Sequence, residues 1–274
     1  MINRAGVIFH QRNADCENHS DPFFPQMNRR KFFKVIACLA AASPIVGHAQ
    51  VSAFGRSAEA VDKSLQKSEL WQVLRREFPD WYSARLKEVA DLSTQDKTSS
   101  EIHLHLIRAL VNLRRLHAQI ALAASPTRHK AIAEAFVENL IQLRKHSVEA
   151  CYGLISQSEA HPLIASLLQG SPYAPRLERQ MIAVFQAVAD GRRSPRAYDD
   201  PTREDFEVLL VDLKIRGWTQ ADFQTFSDAG ALGRASPEKT CQLIHDWFSA
   251  HLAVADPVAQ QRLLADSIRP IVGG

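Results

Sequence analysis

The sequence predicts an all-α fold, a multi-helix bundle of roughly nine helices with no sheet. Apolar residues recur three or four positions apart over long stretches, which is the spacing of amphipathic helices. No long stretch alternates apolar and polar residues as a half-buried strand does. Hydrophobic residues make up 46% of the 274 positions, a content that is ordinary for a globular chain and excludes wholesale disorder.

Three apolar stripes mark the main predicted helices. The stripes are Leu106, Leu110, Leu113 and Ile120; Phe136, Leu140, Leu143 and Leu154; and Phe206, Leu209, Leu210 and Leu213. The two longest predicted helices, about 100–124 and 126–156, are separated only by Ser125-Pro126. Because so short a connection joins antiparallel helices, we expect this pair to be neighbours at the centre of the bundle.

Helix ends carry signals of their own. Ser or Asp before Pro indicates a start, because the side-chain oxygen caps free N–H groups and Pro fits the first turn. Thr three positions before Asp resembles a capping box. These starts are Ser125-Pro126, Ser236-Pro237, Asp256-Pro257, Thr202 and Thr219. Gly170, Gly191 and Gly217 stand where helices should end.

Residues 27–49 have the layout of a cleavable export signal. Four basic residues follow Met27 closely, and residues 35–47 carry no charge and are mostly small or aliphatic. This run of 13 residues is shorter than the roughly 20 that span a membrane, and Pro44 interrupts it. We therefore expect no permanent membrane anchor.

The head of this signal, NRRKFFK at residues 28–34, resembles the twin-arginine translocation signal Ser/Thr-Arg-Arg-x-Phe-Leu-Lys. The matching residues are Arg29, Arg30, Phe32 and Lys34, whereas Asn28 replaces Ser/Thr and Phe33 replaces Leu. The resemblance implies passage through the twin-arginine translocase, removal of the signal by signal peptidase, and a periplasmic or otherwise exported location. An ordinary secretory signal, or a chance basic and apolar run, is the alternative.

The signal also suggests where the mature chain begins. Gly47 and Ala49 put small residues at the two positions that a signal peptidase reads, so we expect cleavage after Ala49, with Ala53 as the alternative. A normal signal begins near its arginines. Met27 is therefore the expected start, and residues 1–26 are a misassigned extension or a disordered leader.

The remaining chain is expected to hold one flexible segment and one helical domain. Residues 50–67 are small and polar, which favours a flexible segment, and residues 68–274 carry the helical patterns. The stretch 190–205 is the clearest linker, so a subdivision of the domain at 190–202 is the alternative to a single core.

The charge of the predicted mature chain is balanced. Six of the 33 basic residues and three of the 30 acidic residues lie in the first 49 positions, which leaves 27 of each. Nucleic acids and anionic membranes bind basic surfaces, so neither is an expected partner. A protein partner is compatible with this composition.

Cys151 and Cys241 are the two cysteines of the predicted mature chain. Cys151 continues the stripe of Phe136 and Leu140, and Cys241 shares a helix face with Ile244, so both should point at the core. In an exported protein the pair suggests a disulfide that closes a long loop. Two buried free thiols are the alternative, because twin-arginine export carries folded chains and a buried pair would have to oxidise after folding. The sequence leaves both states open.

Three residues near the C-terminus form the candidate catalytic group. Glu238, Cys241 and His245 are spaced three and four apart on one predicted helix face. A Cys–His pair in this arrangement can hold a thiolate nucleophile or a soft metal. The alternative is that Cys241 belongs to the core, His245 lies at its margin and Glu238 serves the first turn of the helix.

Histidines offer weaker candidates for ligation. His103 and His105 point in opposite directions on a helix, so they are not expected to share a metal. Haem ligation by His103, His117 or His146 from facing helices is one hypothesis, and histidines at the margin of the core are the other. No metal ligand and no cofactor is assigned from the sequence.

Two further clusters have both a functional and a structural interpretation. The aromatic residues Trp71, Phe78, Trp81 and Tyr82 either line a ligand pocket or staple an N-terminal helix to the core. The basic residues Arg192, Arg193 and Arg196 either contact an anion or a partner, or form a solvated loop.

The chain carries no motif that names a reaction. Glycine-rich phosphate loops, HExxH, CxxC and GxSxG are all absent. This favours an exported binding, interaction or accessory protein. The alternatives are an exported enzyme whose site is assembled from dispersed residues, and a helical bundle that carries haem or metal.

Overall fold

The computed structural model describes residues 57–95 and 97–273. These residues fold into α-helices, turns and a short 3₁₀ helix at Ser158–Ala160, without a β-strand, which confirms the predicted all-α class. The α-helices are α1 (Ala58–Leu65), α2 (Glu69–Glu77), α3 (Pro79–Thr94), α4 (Ser99–Leu116), α5 (Ala118–Leu122), α6 (Pro126–His146), α7 (Val148–Gln157), α8 (Pro162–Leu167), α9 (Ala174–Arg193), α10 (Arg203–Ile215), α11 (Gln220–Ser227), α12 (Ala229–Arg234), α13 (Pro237–Ala253), α14 (Pro257–Ser267) and α15 (Arg269–Gly273).

The predicted export signal lies outside the described residues. This holds for the signal residues Arg29, Arg30, Phe32 and Lys34, for the cleavage sites after Ala49 and Ala53, and for residues 1–26.

The helical domain begins earlier than the predicted boundary at residue 68. Helix α1 lies within the segment 50–67 that the sequence predicts to be flexible. Ser57 caps α1 by accepting a hydrogen bond from the Ala60 N–H, and Val61 is fully buried where α1 packs against α3. The described part of this segment is therefore integral to the core.

The predicted count of roughly nine helices is wrong, because short breaks divide the long helices. The predicted helix 100–124 is divided at His117 into α4 and α5. The predicted helix 126–156 is divided at Ser147, whose backbone is extended with φ −160° and ψ 148°. The Ser147 side chain accepts a hydrogen bond from the Ala150 N–H, so this residue ends α6 and caps α7.

Helix α9 occupies the centre of the fold, packed against α2, α5 and α6. Helix α4, the main part of the predicted helix 100–124, packs chiefly against α3, α15 and the 3₁₀ helix and not against α6, its predicted central neighbour. Gly191 does not end a helix as predicted but lies within α9, where a Cβ atom would be 2.0 Å from the carbonyl oxygen of Ile120. Only glycine allows α5 and α9 to approach so closely. Gly170 and Gly217, with φ of 82° and 93°, do follow helix ends.

The described residues on both sides of 190–202 belong to one compact unit. Helix α13, which follows the linker, packs against α6 and α7, which precede it. The linker itself is fixed to the end of α5: the Arg196 N–H donates to the Ala123 carbonyl at 2.9 Å, and the Tyr198 hydroxyl donates to the Ala124 carbonyl.

Within the described ranges, none of the helices is long and apolar enough to cross a membrane.

A buried polar network ties four elements together in the core. Arg114 of α4 and Glu159 of the 3₁₀ helix form an ion pair at 2.6 Å, with side chains only 2% and 1% exposed. Arg114 also donates to the Ser158 hydroxyl at 2.6 Å. Gln180 of α9 donates to the second Glu159 oxygen at 3.4 Å and accepts from Asn139 of α6 at 2.8 Å. The buried charges are thus neutralised within the chain.

Candidate functional site

Helix α10 is held to the rest of the fold by one face. Thr202 and Asp205 form the predicted capping box at its start. Leu209 and Leu213 are fully buried where α10 packs against α13 and α14. Arg262 of α14 donates two hydrogen bonds to Asp205, both at 2.8 Å, and these bonds are the main reason that the pKa of Asp205 is lowered. The orientation of α10 is therefore fixed at its N-terminal end.

The face of α10 that points away from Leu209 and Leu213 is apolar and exposed. Val208, Val211 and Ile215 are 50%, 58% and 79% exposed. Their spacing of three and four residues puts them on one side of the helix, and we call them the α10 stripe. Phe206 and Leu210 add partly exposed side chains, so five of the seven large hydrophobic side chains that the described ranges expose lie on this helix.

The charged residues around the α10 stripe are largely paired on the helix itself. Arg203 donates to Glu207 at 2.8 Å. Arg216, the residue after α10, donates to Asp212, one turn before it. An apolar centre inside a polar rim is the composition of a protein–protein interface. Isolated exposed apolar residues are common on monomers, whereas a cluster on one helix is a candidate contact surface.

The structure joins Cys151 of α7 and Cys241 of α13 in a disulfide, one of the two states that the sequence leaves open. Their Cα atoms are 6.1 Å apart, and both residues are fully buried. A bonded, buried sulfur offers no thiolate. Cys241 therefore does not supply the nucleophile or soft metal ligand considered for Glu238, Cys241 and His245.

Glu238 and His245 lie beside a shallow groove of about 410 Å³ between α6 and α13, lined in part by Arg144, Lys145 and His245. Glu238 is 3.8 Å from Arg144, an exposed ion pair. The His245 ring contacts Asp246 at 3.0 Å through Nδ1. These contacts account for both side chains without a catalytic role.

A serine that sequence reasoning missed lies next to His245. The Ser249 hydroxyl is 3.5 Å from His245 Nε2, so Ser249, His245 and Asp246 follow the order of a nucleophile, a base and an orienting carboxylate. All three belong to α13, whose interior N–H groups are used in the helix and are not available to stabilise an oxyanion. The arrangement therefore lacks the oxyanion-stabilising donors that an acyl-transfer site needs.

Three of the histidines considered for haem or metal ligation have separate local partners, whereas the buried Nε2 of His103 has no hydrogen-bond partner among the described residues. His105 contacts Glu88 at 2.8 Å, and the rings of His117 and His146 pack at a tilt against Phe78 and Tyr173. The pKa of His103 is lowered by burial. Among the described residues, no group of three or more His, Cys, Asp or Glu side chains is placed to hold a metal ion.

Two histidines that the sequence did not single out are the most deeply buried. His251 contacts the Trp247 carbonyl at 2.7 Å through Nδ1 and the Ser267 hydroxyl at 2.7 Å through Nε2. Burial lowers the pKa of His251 to about 4. His129 is also fully buried, and burial lowers its pKa as well. Both are neutral core residues at neutral pH.

The aromatic cluster near the N-terminus connects helices. Trp71 of α2 stacks on Trp81 of α3, with ring centroids 6.3 Å apart. The Tyr82 hydroxyl donates to Asp62 of α1 at 2.7 Å, and burial together with this bond raises its pKa to about 12. Phe78 packs edge-on against Phe185 of α9. These contacts fit the interpretation as a staple.

The arginines at the end of α9 are not a free basic patch. The Arg192 guanidinium lies 4.3 Å from the centre of the Phe78 ring and donates to the Glu77 carbonyl at 3.1 Å. Arg193 pairs with the Glu77 carboxylate at 3.4 Å. The cation over an aromatic ring and the ion pair attach the end of α9 to the junction of α2 and α3.

The α10 stripe is thus the surface of the described chain that its own contacts explain least. The comparisons with known proteins give no further guide, because no protein-family model, no curated protein and no solved structure matches this chain.

Proposed function

We propose that this chain is an exported helical interaction protein that binds a protein partner through the α10 stripe. The observation that carries the proposal is the exposure of Val208, Val211 and Ile215 on a helix whose opposite side buries Leu209 and Leu213. Exposure of apolar side chains to water is unfavourable in free energy, and burial against a partner removes that unfavourable term. The partner is an accessory or client protein with a complementary apolar groove or helix.

The balanced charge supports a protein partner over a polyanion. The predicted mature chain has 27 basic and 27 acidic residues, and two arginines of the basic cluster, Arg192 and Arg193, are engaged with Phe78 and Glu77. The exported location in this proposal rests on the signal-like residues 27–49, which direct the chain to the twin-arginine translocase and signal peptidase. We expect R29K/R30K to leave the precursor in the cytoplasm, and unchanged export to contradict this part.

The alternatives have less support in the geometry. An enzyme built from dispersed residues needs a nucleophile or an acid–base pair in a cleft, and the candidates near α13 are either bonded or lack oxyanion donors. A haem or metal carrier needs converging ligands, and the described histidines are each engaged or buried separately.

Site-specific photo-crosslinking tests the proposed interaction. A photo-reactive amino acid is placed at position 208 of the full chain, produced in its own host, and at position 234 as a control on an exposed helix. We expect a discrete adduct from position 208 and none from position 234. The adduct partner, identified by mass spectrometry and purified, should bind the wild-type chain and not I215E.

Equal labelling from both positions, or no adduct from position 208 in the exported protein, would contradict the interaction. The R29K/R30K variant separates the two parts of the proposal. Loss of export without loss of purified-partner binding leaves the docking surface standing, because the signal residues and α10 are tested separately.

A further inference from the structure

A second surface, the groove between α3 and α4, has the composition of a ligand site. It encloses about 310 Å³ and is lined by Trp81, Arg85, His105, Arg108, Asn112 and Leu116. On α4 the lining residues recur every three or four positions, so they form one continuous face. The volume is at the small end of the range for small-molecule sites.

The groove has more hydrogen-bond donors than acceptors. Glu88 is the carboxylate beside it, and both of its oxygens are used, one by Arg85 and the other by His105 at 2.8 Å. Arg108 and Asn112 are exposed and make no side-chain hydrogen bond or ion pair with any described residue. The Arg85 Nε is buried and also has no acceptor. The charge left uncompensated in the groove is therefore positive.

One end of the groove is apolar. Leu116, at the C-terminal end of α4, is 76% exposed. Trp81 lines the groove from the first turn of α3, and its indole ring stacks on Trp71. The Arg85 guanidinium lies 5.5 Å from the centre of the Trp81 ring. An aromatic wall and an exposed leucine thus stand beside the free guanidinium of Arg108.

We propose that the α3–α4 groove binds a small organic acid with an apolar tail. The carboxylate pairs with the Arg108 guanidinium, whose planar fork matches two carboxylate oxygens, and the Asn112 amide donates a further hydrogen bond. The tail lies against Trp81 and Leu116 and covers the exposed apolar surface. This site is separate from the α10 stripe, and either stands without the other.

Fluorine NMR of the full chain labelled with 5-fluorotryptophan tests the groove. The chain has four tryptophans, and the W81F variant assigns the Trp81 signal. Octanoate is the probe. Octanamide, which has the tail but no charge, and acetate, which has the charge but no tail, are the comparison ligands. We expect octanoate to shift the Trp81 signal saturably and the other two to bind at least about ten-fold more weakly.

The variant that tests the carboxylate contact is R108Q, and R234Q is its matched control, an exposed arginine on α12. We expect R108Q to weaken octanoate binding about ten-fold or more, with an unchanged circular dichroism spectrum, and R234Q to bind as the wild type does. Equal binding of octanoate by R108Q, equal binding of octanamide, or no saturable shift at millimolar octanoate would overturn the proposal.

Discussion

The Arg114–Glu159 network and the α10 stripe both reverse the usual placement of residues. Arg114 and Glu159 are charged yet 2% and 1% exposed, whereas Val211 and Ile215 are apolar yet 58% and 79% exposed. The two regions differ in what surrounds them. Arg114 and Glu159 neutralise each other's charge and are hydrogen-bonded by neighbouring polar side chains, but the described chain places nothing over the α10 stripe.

Under the proposed function, the difference separates a feature that serves the fold from one that serves contact with another molecule. A reversal that the chain compensates internally is part of its own stability. For the reversal that the described chain leaves uncompensated, the α10 stripe, we propose that a partner supplies the compensation. Variants in the two regions should therefore differ in kind: core variants change the free energy of unfolding, and α10 variants change association.

The largest expected effect is at the buried ion pair. R114M leaves the Glu159 carboxylate buried with only neutral partners, so it should lower the free energy of unfolding by about 3–5 kcal/mol. Chemical denaturation measures this change. The double variant R114M/E159M should recover most of the loss, because it removes both buried charges. A loss below about 1 kcal/mol for R114M would mean that the network is not compensated in the way described.

The disulfide comes next. Cys151 and Cys241 are separated by 90 residues, and the bond restricts the unfolded chain. We expect C151A/C241A to lower the free energy of unfolding by about 2–4 kcal/mol. Adding reductant should destabilise the wild-type chain and leave the variant unchanged. Identical denaturation midpoints for the oxidised and reduced wild-type protein would contradict the expected contribution.

The pH dependence of the free energy of unfolding tests the role of His251, a buried side chain whose surroundings favour its neutral form. Its folded pKa of about 4 lies below the usual histidine value of 6.5, because the ring is buried between Trp247 and Ser267. The stabilisation is thus fully present above pH 6.5 and is lost progressively as the pH falls from 6.5 to 4, since the unfolded chain takes up the proton first.

Between pH 7 and pH 5 we expect the wild-type chain to lose about 2 kcal/mol more of its free energy of unfolding than H251Q. H251Q is the matched control because glutamine keeps a buried polar side chain that does not titrate. Parallel pH profiles for the two proteins would show that His251 does not carry this dependence.

The features predictable from the sequence are those set by nearby residues. The all-α class, the capping boxes at Thr202 and Thr219, and the placement of Cys151 and Cys241 in the core all follow from spacing along one helix. The break at Ser147 does not, because serine is tolerated inside a helix and only its extended backbone shows that it ends one.

The two candidate surfaces depend on tertiary packing, which periodicity does not determine. Helix α10 has apolar residues on more than one face, so the predicted stripe joined the buried Leu209 to the exposed Leu210. The α3–α4 groove combines Trp81 with Arg108, residues on different helices. Nothing in either helix alone indicates that the two side chains line one groove.

The smallest expected change in stability, and the most direct test of the proposed docking surface, is at Val211. V211E places a charge in the α10 stripe without touching the core, so its free energy of unfolding should stay within about 0.5 kcal/mol of the wild type. Its adduct yield from the photo-reactive residue at position 208 should fall about ten-fold or more, whereas R234E should keep the wild-type yield. An unchanged yield in V211E would contradict the assignment of the α10 stripe as the docking surface. So would a loss of stability large enough to account for the lost adduct.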